Sequence, residues 1–242
     1  MKAIIMAAGI GKRLQPYSNI IPKPLMPIGL KKGGFLTIIE KIIDQLKIAS
    51  IKEIIVVVNY KKELIKQYLG NGSSYNVKLK YVFQEKLDGN GGAIFRCQHL
   101  INEEVLFVDA DNYVEDNEIF LKLRKSFEKG GVSAVVGVKK VDDIKRYAIF
   151  KIKKGKIVDI KEKPSNKKIW GDVAKSGFAI ISKKIIKMDK KISRTNSGEY
   201  STTQLFKHLL KKELPVKLFY IKGDYEDIGS WNSYQRVLRK NI

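Results

Sequence analysis

The run Ile54-Ile55-Val56-Val57-Val58 has no polar face. A strand with water on one side alternates apolar and polar residues. Five branched apolar residues in succession suit a strand covered on both sides, the usual condition of a parallel sheet flanked by helices. Similar runs occur at 3–7 and 105–108. Between them the spacing turns helical: Ile38, Ile39, Ile42, Ile43 and Leu46 share one face of a helix predicted over 35–49. Further helices are predicted over 61–69, 93–100 and 117–129, and strands over 53–59, 77–83, 105–109 and 132–138. The alternation predicts an α/β fold with a mixed, mostly parallel sheet between helices. From residue 147 the rhythm changes. Strands at 148–152 and 156–161, joined by Lys153-Lys154-Gly155, read as a hairpin. A strand at 177–181, a helix at 200–211, a strand at 216–221 and a last helix at 231–239 follow.

The composition narrows the class of protein. At 242 residues and 44% apolar content the chain can bury a sizeable core. No apolar run is long enough for a membrane span, and Met1 leads directly into the first strand, so no signal peptide is expected. Cys97 is the only cysteine, which excludes an intrachain disulfide and a cysteine zinc site and fits a cytoplasmic protein. The formal net charge of +22 favours anionic partners. Its lysines are scattered along the chain, however, and read as a compositional bias rather than as a nucleic-acid footprint.

The strand at 3–7 runs into Ala8-Gly9-Ile10-Gly11-Lys12-Arg13-Leu14, and Pro22-Lys23-Pro24 follows. Two glycines one residue apart let backbone N–H groups face a polyphosphate with no Cβ in the way, and Arg13 and Lys23 supply charge. A dinucleotide fingerprint needs a third glycine where Leu14 stands. A P-loop needs Ser or Thr where Arg13 stands. A second polar mouth follows the apolar strand Val105-Leu106-Phe107-Val108, where Asp109, Asp111 and Asn112 emerge. Ligands collect at such carboxyl ends of strands, and a carboxylate there, near bound triphosphate, suits magnesium.

Apolar-Ala-Gly-x-Gly-x-Arg-Leu-x-Pro followed by Pro-Lys-Pro-Leu resembles the signature of the sugar-1-phosphate nucleotidylyltransferases. Matches at 84–93, 109–113, 162–164 and 227–230 come in the family's order. The resemblance implies a Rossmann-like nucleotide-diphospho-sugar transferase fold in a single domain, 1–242, with a nucleotide-binding half over about 1–140 and a sugar-phosphate-binding half over about 141–242. It implies that Ala8, Gly9, Gly11 and Lys12 cradle the nucleotide, and that Gln84 and Gly89 read the base. It places Arg13, Lys23 and Lys163 as catalytic cations. Asp111 and Asp227 become magnesium ligands. Ala148, Glu162, Lys163 and Gly177 become contacts to the sugar phosphate, and the stretch Gly198-Glu199-Tyr200 with Thr202 and Thr203 resembles a helix start bordering that site.

Several positions depart from the family's pattern. Ala110 replaces the glycine of Gly-Asp, and Ala148 replaces another glycine. Ser230 and Trp231 stand for Thr and Pro after Asp227, where Ser230 keeps a hydroxyl suited to capping the last helix. In the base segment Asp88 is inserted before Gly89, and Asn90 and Gly91 replace Thr and Ala. His99 and His208 read as surface or packing residues, and Lys31-Lys32-Gly33-Gly34 as an exposed loop.

The implied partners are a nucleoside triphosphate and a sugar 1-phosphate, with Mg2+ as cofactor, no membrane or nucleic acid, and room for a homo-oligomer. The base and the acceptor stay open. Residues 89–93 resemble heptose- and mannose-1-phosphate guanylyltransferases, and 109–113 cytidylyltransferases acting on small phosphorylated alcohols such as phosphocholine. Ala7-Ala8-Gly9 and Glu162-Lys163-Pro164 suit uridylyl and thymidylyl enzymes. A catalytically silent binding relative is the reading from another class, and the retained Arg13, Lys23, Asp111, Lys163 and Asp227 argue against it.

Overall fold

Strand β1 (Lys2–Ala7) opens a chain whose computed structural model describes residues 1–187 and 192–241. A hairpin of β2 (Pro27–Lys31) and β3 (Gly34–Thr37) leads into α1 (Ile38–Ile48), β4 (Glu53–Val58), α2 (Lys62–Leu69) and β5 (Lys78–Phe83). Helix α3 (Asn90–Arg96), β6 (Val105–Asp109), β7 (Asn112–Val114), α4 (Ile119–Glu128) and β8 (Ala134–Lys140) follow. Next come β9 (Ala148–Lys153), β10 (Lys156–Glu162), α5 (Lys167–Trp170), β11 (Val173–Ile181) and α6 (Lys183–Ile186). The chain closes with α7 (Thr202–Lys211), β12 (Val216–Tyr220), β13 (Tyr225–Asp227) and α8 (Trp231–Asn241). The expected α/β architecture, a mixed and mostly parallel sheet flanked by helices, is present. No helix among the described residues is long and apolar enough to cross a membrane.

The chain falls into two compact units, one of Met1–Leu87, Leu106–Lys122 and Lys222–Ile242, the other of Asp88–Val105 and Leu123–Ile221. In the first, β4 runs parallel to β1, with Ala3 to Ala7 opposite Ile54 to Val58, and β5 adds a further parallel strand. The all-apolar run lies where its lack of a polar face requires: Val56, Val57 and Val58 are fully buried. Strands β2 and β3 escaped the sequence patterns, and so did the shorter β7 and β13. β13 pairs antiparallel with β7, placing Tyr225, Glu226 and Asp227 opposite Val114, Tyr113 and Asn112. At three residues each, neither is long enough to show an alternation.

The helix expected from residue 35 begins three residues later, because Phe35 and Leu36 belong to β3 and Thr37 caps α1. Thr37 and Glu40 form a reciprocal capping box, and Lys31-Lys32-Gly33-Gly34 is the turn of the β2–β3 hairpin. Glu40 is 2% exposed. Its carboxylate accepts hydrogen bonds from the Thr37 backbone N–H and hydroxyl, from the Tyr75 hydroxyl and from Lys31 Nζ. Burial pushes the Glu40 pKa up, but the hydrogen bonds from Lys31, Thr37 and Tyr75 outweigh it and hold the group below its ordinary value. A carboxylate depressed on folding contributes stability above its unfolded pKa and loses it as the pH falls through the folded value. Glu40→Gln is therefore expected to lower stability at pH 7 by about 1–3 kcal/mol and to show a shallower loss of melting temperature below pH 4.5 than the wild type. Parallel melting curves of the two proteins across that range would refute the assignment.

In the second unit β9 lies between β10 and β11, and β8 lies between β11 and β12; every pair is antiparallel except β8 with β12. The β9–β10 hairpin turns through Lys154 and Gly155, both at positive φ as a two-residue hairpin loop requires. Phe150 and Phe206 meet edge to face at 5.9 Å in its interior. Strand β11 starts earlier than expected, at Val173, and its register against β8 shifts between Lys175 and Ala179. Helix α3 begins at Asn90 rather than 93 and takes in Gly91 and Gly92, residues whose helix propensity is poor.

Candidate active site

The first unit holds the glycine loop expected to cradle phosphate. Gly11 sits in the left-handed region at φ 72, and a Cβ there would meet Ser18 Cβ at 3.2 Å and Lys23 Cβ at 3.5 Å. The loop is closed by its own bonds: Leu14 N–H and the Ser18 hydroxyl both donate to the Gly11 carbonyl, at 2.8 and 3.0 Å. Leu14 is buried and anchors it. Gly9 has open space around its missing Cβ, Ala8 is buried, and Lys12 and Arg13 are both exposed.

The two candidate metal carboxylates come from distant stretches brought side by side. Ala110 N–H donates to the Met6 carbonyl of β1 at 3.1 Å, fixing the chain as it leaves β6. Asp111 then accepts at its backbone carbonyl from Ile228 N–H at 2.9 Å, and the next register pair is Asn112 with Asp227. The Tyr225 hydroxyl donates to Asn112 Oδ1 at 3.0 Å, and Asn112 Nδ2 donates to Asp111 Oδ1 at 3.0 Å. Lys23 Nζ donates to Asp111 Oδ2, so the cation of Pro22-Lys23-Pro24 and the carboxylate at the end of β6 form one ion pair.

Gly229 brings in the remaining members. A Cβ at Gly229 would stand 2.6 Å from Arg13 Nη2 and 3.2 Å from Asp227 Oδ1. The guanidinium and the carboxylate thus converge on a residue with no side chain. Ser230 caps α8 as its hydroxyl suggests, accepting from Ser233 N–H at 3.3 Å. Gln84 lies at the end of β5, 3% exposed, with its backbone tied to Val58 and Asn59.

The carboxylates suit a hard divalent ion. Both supply oxygen, and Asp227 Oδ1 is buried. Among the described residues no cluster of three or more His, Cys, Asp or Glu could hold a metal without help. Magnesium commonly takes one or two carboxylates and completes its shell with substrate phosphate and water.

The second unit holds the residues expected to contact the sugar phosphate. Glu162, the last residue of β10, lies opposite Ala148. Lys163 follows at φ 43, with its N–H donating to the Tyr147 carbonyl at 2.9 Å. A non-glycine residue at positive φ is uncommon and costs energy, so such positions cluster at functional sites. The Thr203 hydroxyl donates to Glu162 Oε1. Gly177 lies within the register shift of β11. Gly89 stands at φ 93 against the chain before α7, where Tyr200 N–H donates to the Asp88 carbonyl at 2.7 Å and Gly91 N–H to the Tyr200 carbonyl at 2.9 Å. The inserted Asp88 acquires a physical reason: its buried carboxylate pairs with Arg96 Nη1 at 2.7 Å. Asn90 takes part as well, accepting from Thr202 N–H at 2.9 Å.

In the first unit the structure therefore gathers Gly11, Arg13, Lys23, Asp111 and Asp227, with Gln84 at a separate strand end. In the second it gathers Ala148, Glu162 and Lys163, with Gly89 on its own loop. Sequence reasoning placed Asn112 at the mouth of the strand but gave no role to it, to Tyr225 or to Gly229, whose contacts depend on the β7–β13 pairing.

Known proteins share this arrangement of sequence and fold. The chain is 32% identical over 231 residues to the bifunctional protein GlmU of Methanocaldococcus jannaschii, covering 95% of this chain and 51% of that protein. It spans about half the length of the GlmU relatives it matches. It is also 27% identical over 242 residues to the D-glycero-alpha-D-manno-heptose 1-phosphate guanylyltransferase of Campylobacter jejuni, covering 100% of both. A solved Bacillus anthracis structure, assigned as a glucose-1-phosphate thymidylyltransferase in complex with a sucrose, matches with a TM-score of 0.89 and 26% identity over 100% of this chain and 95% of that one. The UDP-glucose pyrophosphorylase fold matches with a TM-score of 0.85 at 20% identity. Residues 2–241 match the nucleotidyl transferase family model, which takes in the glycine loop, the paired aspartates and the Glu-Lys-Pro strand end together, and the chain belongs to that family.

Proposed function

We propose that the protein condenses a nucleoside triphosphate with a hexose or heptose 1-phosphate to give a nucleotide sugar and pyrophosphate. The observation that carries this reading is the convergence of Arg13, Lys23, Asp111 and Asp227 behind the Gly9–Gly11 loop. A silent relative would have no use for two cations and two carboxylates packed so closely.

The acceptor phosphate has a second pKa of about 6 and is mostly dianionic at neutral pH, so the nucleophile needs no general base. What the protein must supply is alignment with the α-phosphorus and relief of charge on the departing pyrophosphate. Arg13 serves the β- and γ-phosphates and the leaving group. Lys23, held by Asp111, serves the reacting phosphates. Lys163 takes the acceptor phosphate and Glu162 the sugar hydroxyls. Asp111 and Asp227 are the residues that would hold Mg2+, which when bound neutralises phosphate charge and orients the oxygens. Gln84 is the side chain we assign to reading the base.

The test is pyrophosphate release in magnesium. The four ribonucleoside triphosphates and dTTP are crossed with the 1-phosphates of glucose, mannose, N-acetylglucosamine and heptose, and with phosphocholine. One productive sugar pair that EDTA silences is the expected outcome. Turnover of CTP with phosphocholine alone would replace the sugar by a small phosphorylated alcohol. A folded protein silent across the grid would overturn the reading.

A further inference from the structure

The phosphate loop is tied to the segment after Asp227 by contacts that the chemistry above does not use. Tyr17, four residues beyond Arg13, lies flat on Trp231, with ring centroids 4.9 Å apart and planes 7° apart. Trp231 leans in turn on Tyr234 at 5.6 Å, and the Tyr234 hydroxyl donates to the Pro27 carbonyl at 2.6 Å. The first residue of α8 and a neighbour one turn on therefore hold the loop on both sides of Lys23. Between these ties and the paired aspartates lies Gly229, with the Arg13 guanidinium against it.

These contacts make little sense as core packing. Tyr17 is 53% exposed and Trp231 39%. A pair of rings serving only to fill the interior would be hidden from water. A long arginine side chain on an exposed loop, by contrast, samples many rotamers unless the backbone on either side is held, and a misplaced charge stabilises a transition state poorly.

Resting on the reading above, we infer that Trp231 is a positioning residue for the nucleotide: its stack on Tyr17 fixes the loop so that Arg13 lies over Gly229, ready for the triphosphate. Serine and tryptophan in place of threonine and proline after Asp227 thus mark a second tie to the loop in this chain. Gly229 completes the device, because any side chain there would push the guanidinium aside.

The experiment is a double-mutant cycle on Tyr17→Ala and Trp231→Ala, with the wild-type substrate pair and each substrate varied in turn. Each single variant is expected to lose about tenfold in kcat/KM for the triphosphate, with KM for the sugar phosphate unchanged within about twofold. The double variant should lose no more than either single one, since both remove the same contact. Trp231→Phe should recover most of the loss. Wild-type behaviour in both alanine variants, multiplied losses in the double variant, or a KM for the sugar phosphate raised about tenfold in the single variants would overturn the inference. A second readout needs no turnover. In a Trp170→Phe background, the fluorescence of Trp231 should change on adding triphosphate with magnesium, and Tyr17→Ala should abolish that change; a signal indifferent to saturating triphosphate would also overturn it. A wild type that turns over no pair counts against the proposed activity, whereas an active wild type matched by its variants counts only against the role of Trp231.

Discussion

Asp111→Asn is expected to lower kcat about a hundred- to thousandfold, the effect of removing about 2.7–4 kcal/mol of charge stabilisation. The substitution keeps size and shape, so Ile228 N–H can still bond the residue 111 carbonyl and the β7–β13 pairing can persist. What it removes is the charge, and with it both the ion pair to Lys23 and the anionic oxygen proposed to meet Mg2+. Arg13→Ala should fall in the same range, because an exposed arginine contributes little to the core. Lys32→Ala, in the exposed hairpin turn, serves as a control for the loss of one lysine and should be near wild type. Melting temperatures within a few degrees of wild type, together with the lost turnover, are the signature to look for. Near-normal rates in Asp111→Asn and Arg13→Ala would remove both residues from the mechanism.

Gly89→Ala is expected to carry the largest cost in stability. Its Cβ would stand 2.2 Å from the Tyr200 carbonyl oxygen and 3.0 Å from the Tyr200 carbonyl carbon. Those are backbone atoms held by the Asp88–Tyr200 and Gly91–Tyr200 hydrogen bonds, so no side chain can swing away. Strain at φ 93 adds to the overlap. Left-handed strain and overpacking each cost about 1–3 kcal/mol, and a chain of this size melts about 2–4 °C lower per kcal/mol. A drop on the order of 6–12 °C follows for about 3 kcal/mol lost. Gly33→Ala isolates the strain, since Gly33 has φ 84 but open space at its Cβ. It should melt only a few degrees low. If Gly89→Ala proves no worse than Gly33→Ala, the close approach of the Tyr200 backbone is not what requires glycine at 89.

The parts of the fold readable beforehand were those in which one local signal decides. Ile54 to Val58 cannot be solvated on either side, and Lys154-Gly155 can adopt the φ values that a tight hairpin demands. The errors arose where tertiary contacts override propensity. Gly91 and Gly92 look like loop residues by composition, yet they lie in the first turn of α3, where glycine is required because a Cβ at 91 would press on Tyr200 and one at 92 would strike Asp88. Phe35 and Leu36 continue the helical pattern of α1, but the Thr37–Glu40 cap starts the helix after them. The site divides similarly. Arg13, Lys23, Asp111 and Lys163 stand in stretches that each resemble a motif of the family by themselves. Gly229, Asn112 and Tyr225 gain meaning only from a pairing of two three-residue strands that leaves no mark in either stretch.

That pairing also sets an order of events in the life of the chain. Tyr225 and Asn112 are separated by 113 residues, so the bond between them closes a long loop whose entropy is lost before any contact rewards it. The strand carrying Asp227 and the ring of Trp231 leave the ribosome long after the glycine loop and Asp111 have emerged. A growing chain that already displays its glycine loop would hold one carboxylate without the other, and an arginine with nothing to rest against. Until α8 docks, such a chain could grip a triphosphate only weakly. The grouping of these side chains is thus withheld until the last of the first unit's three segments has been made.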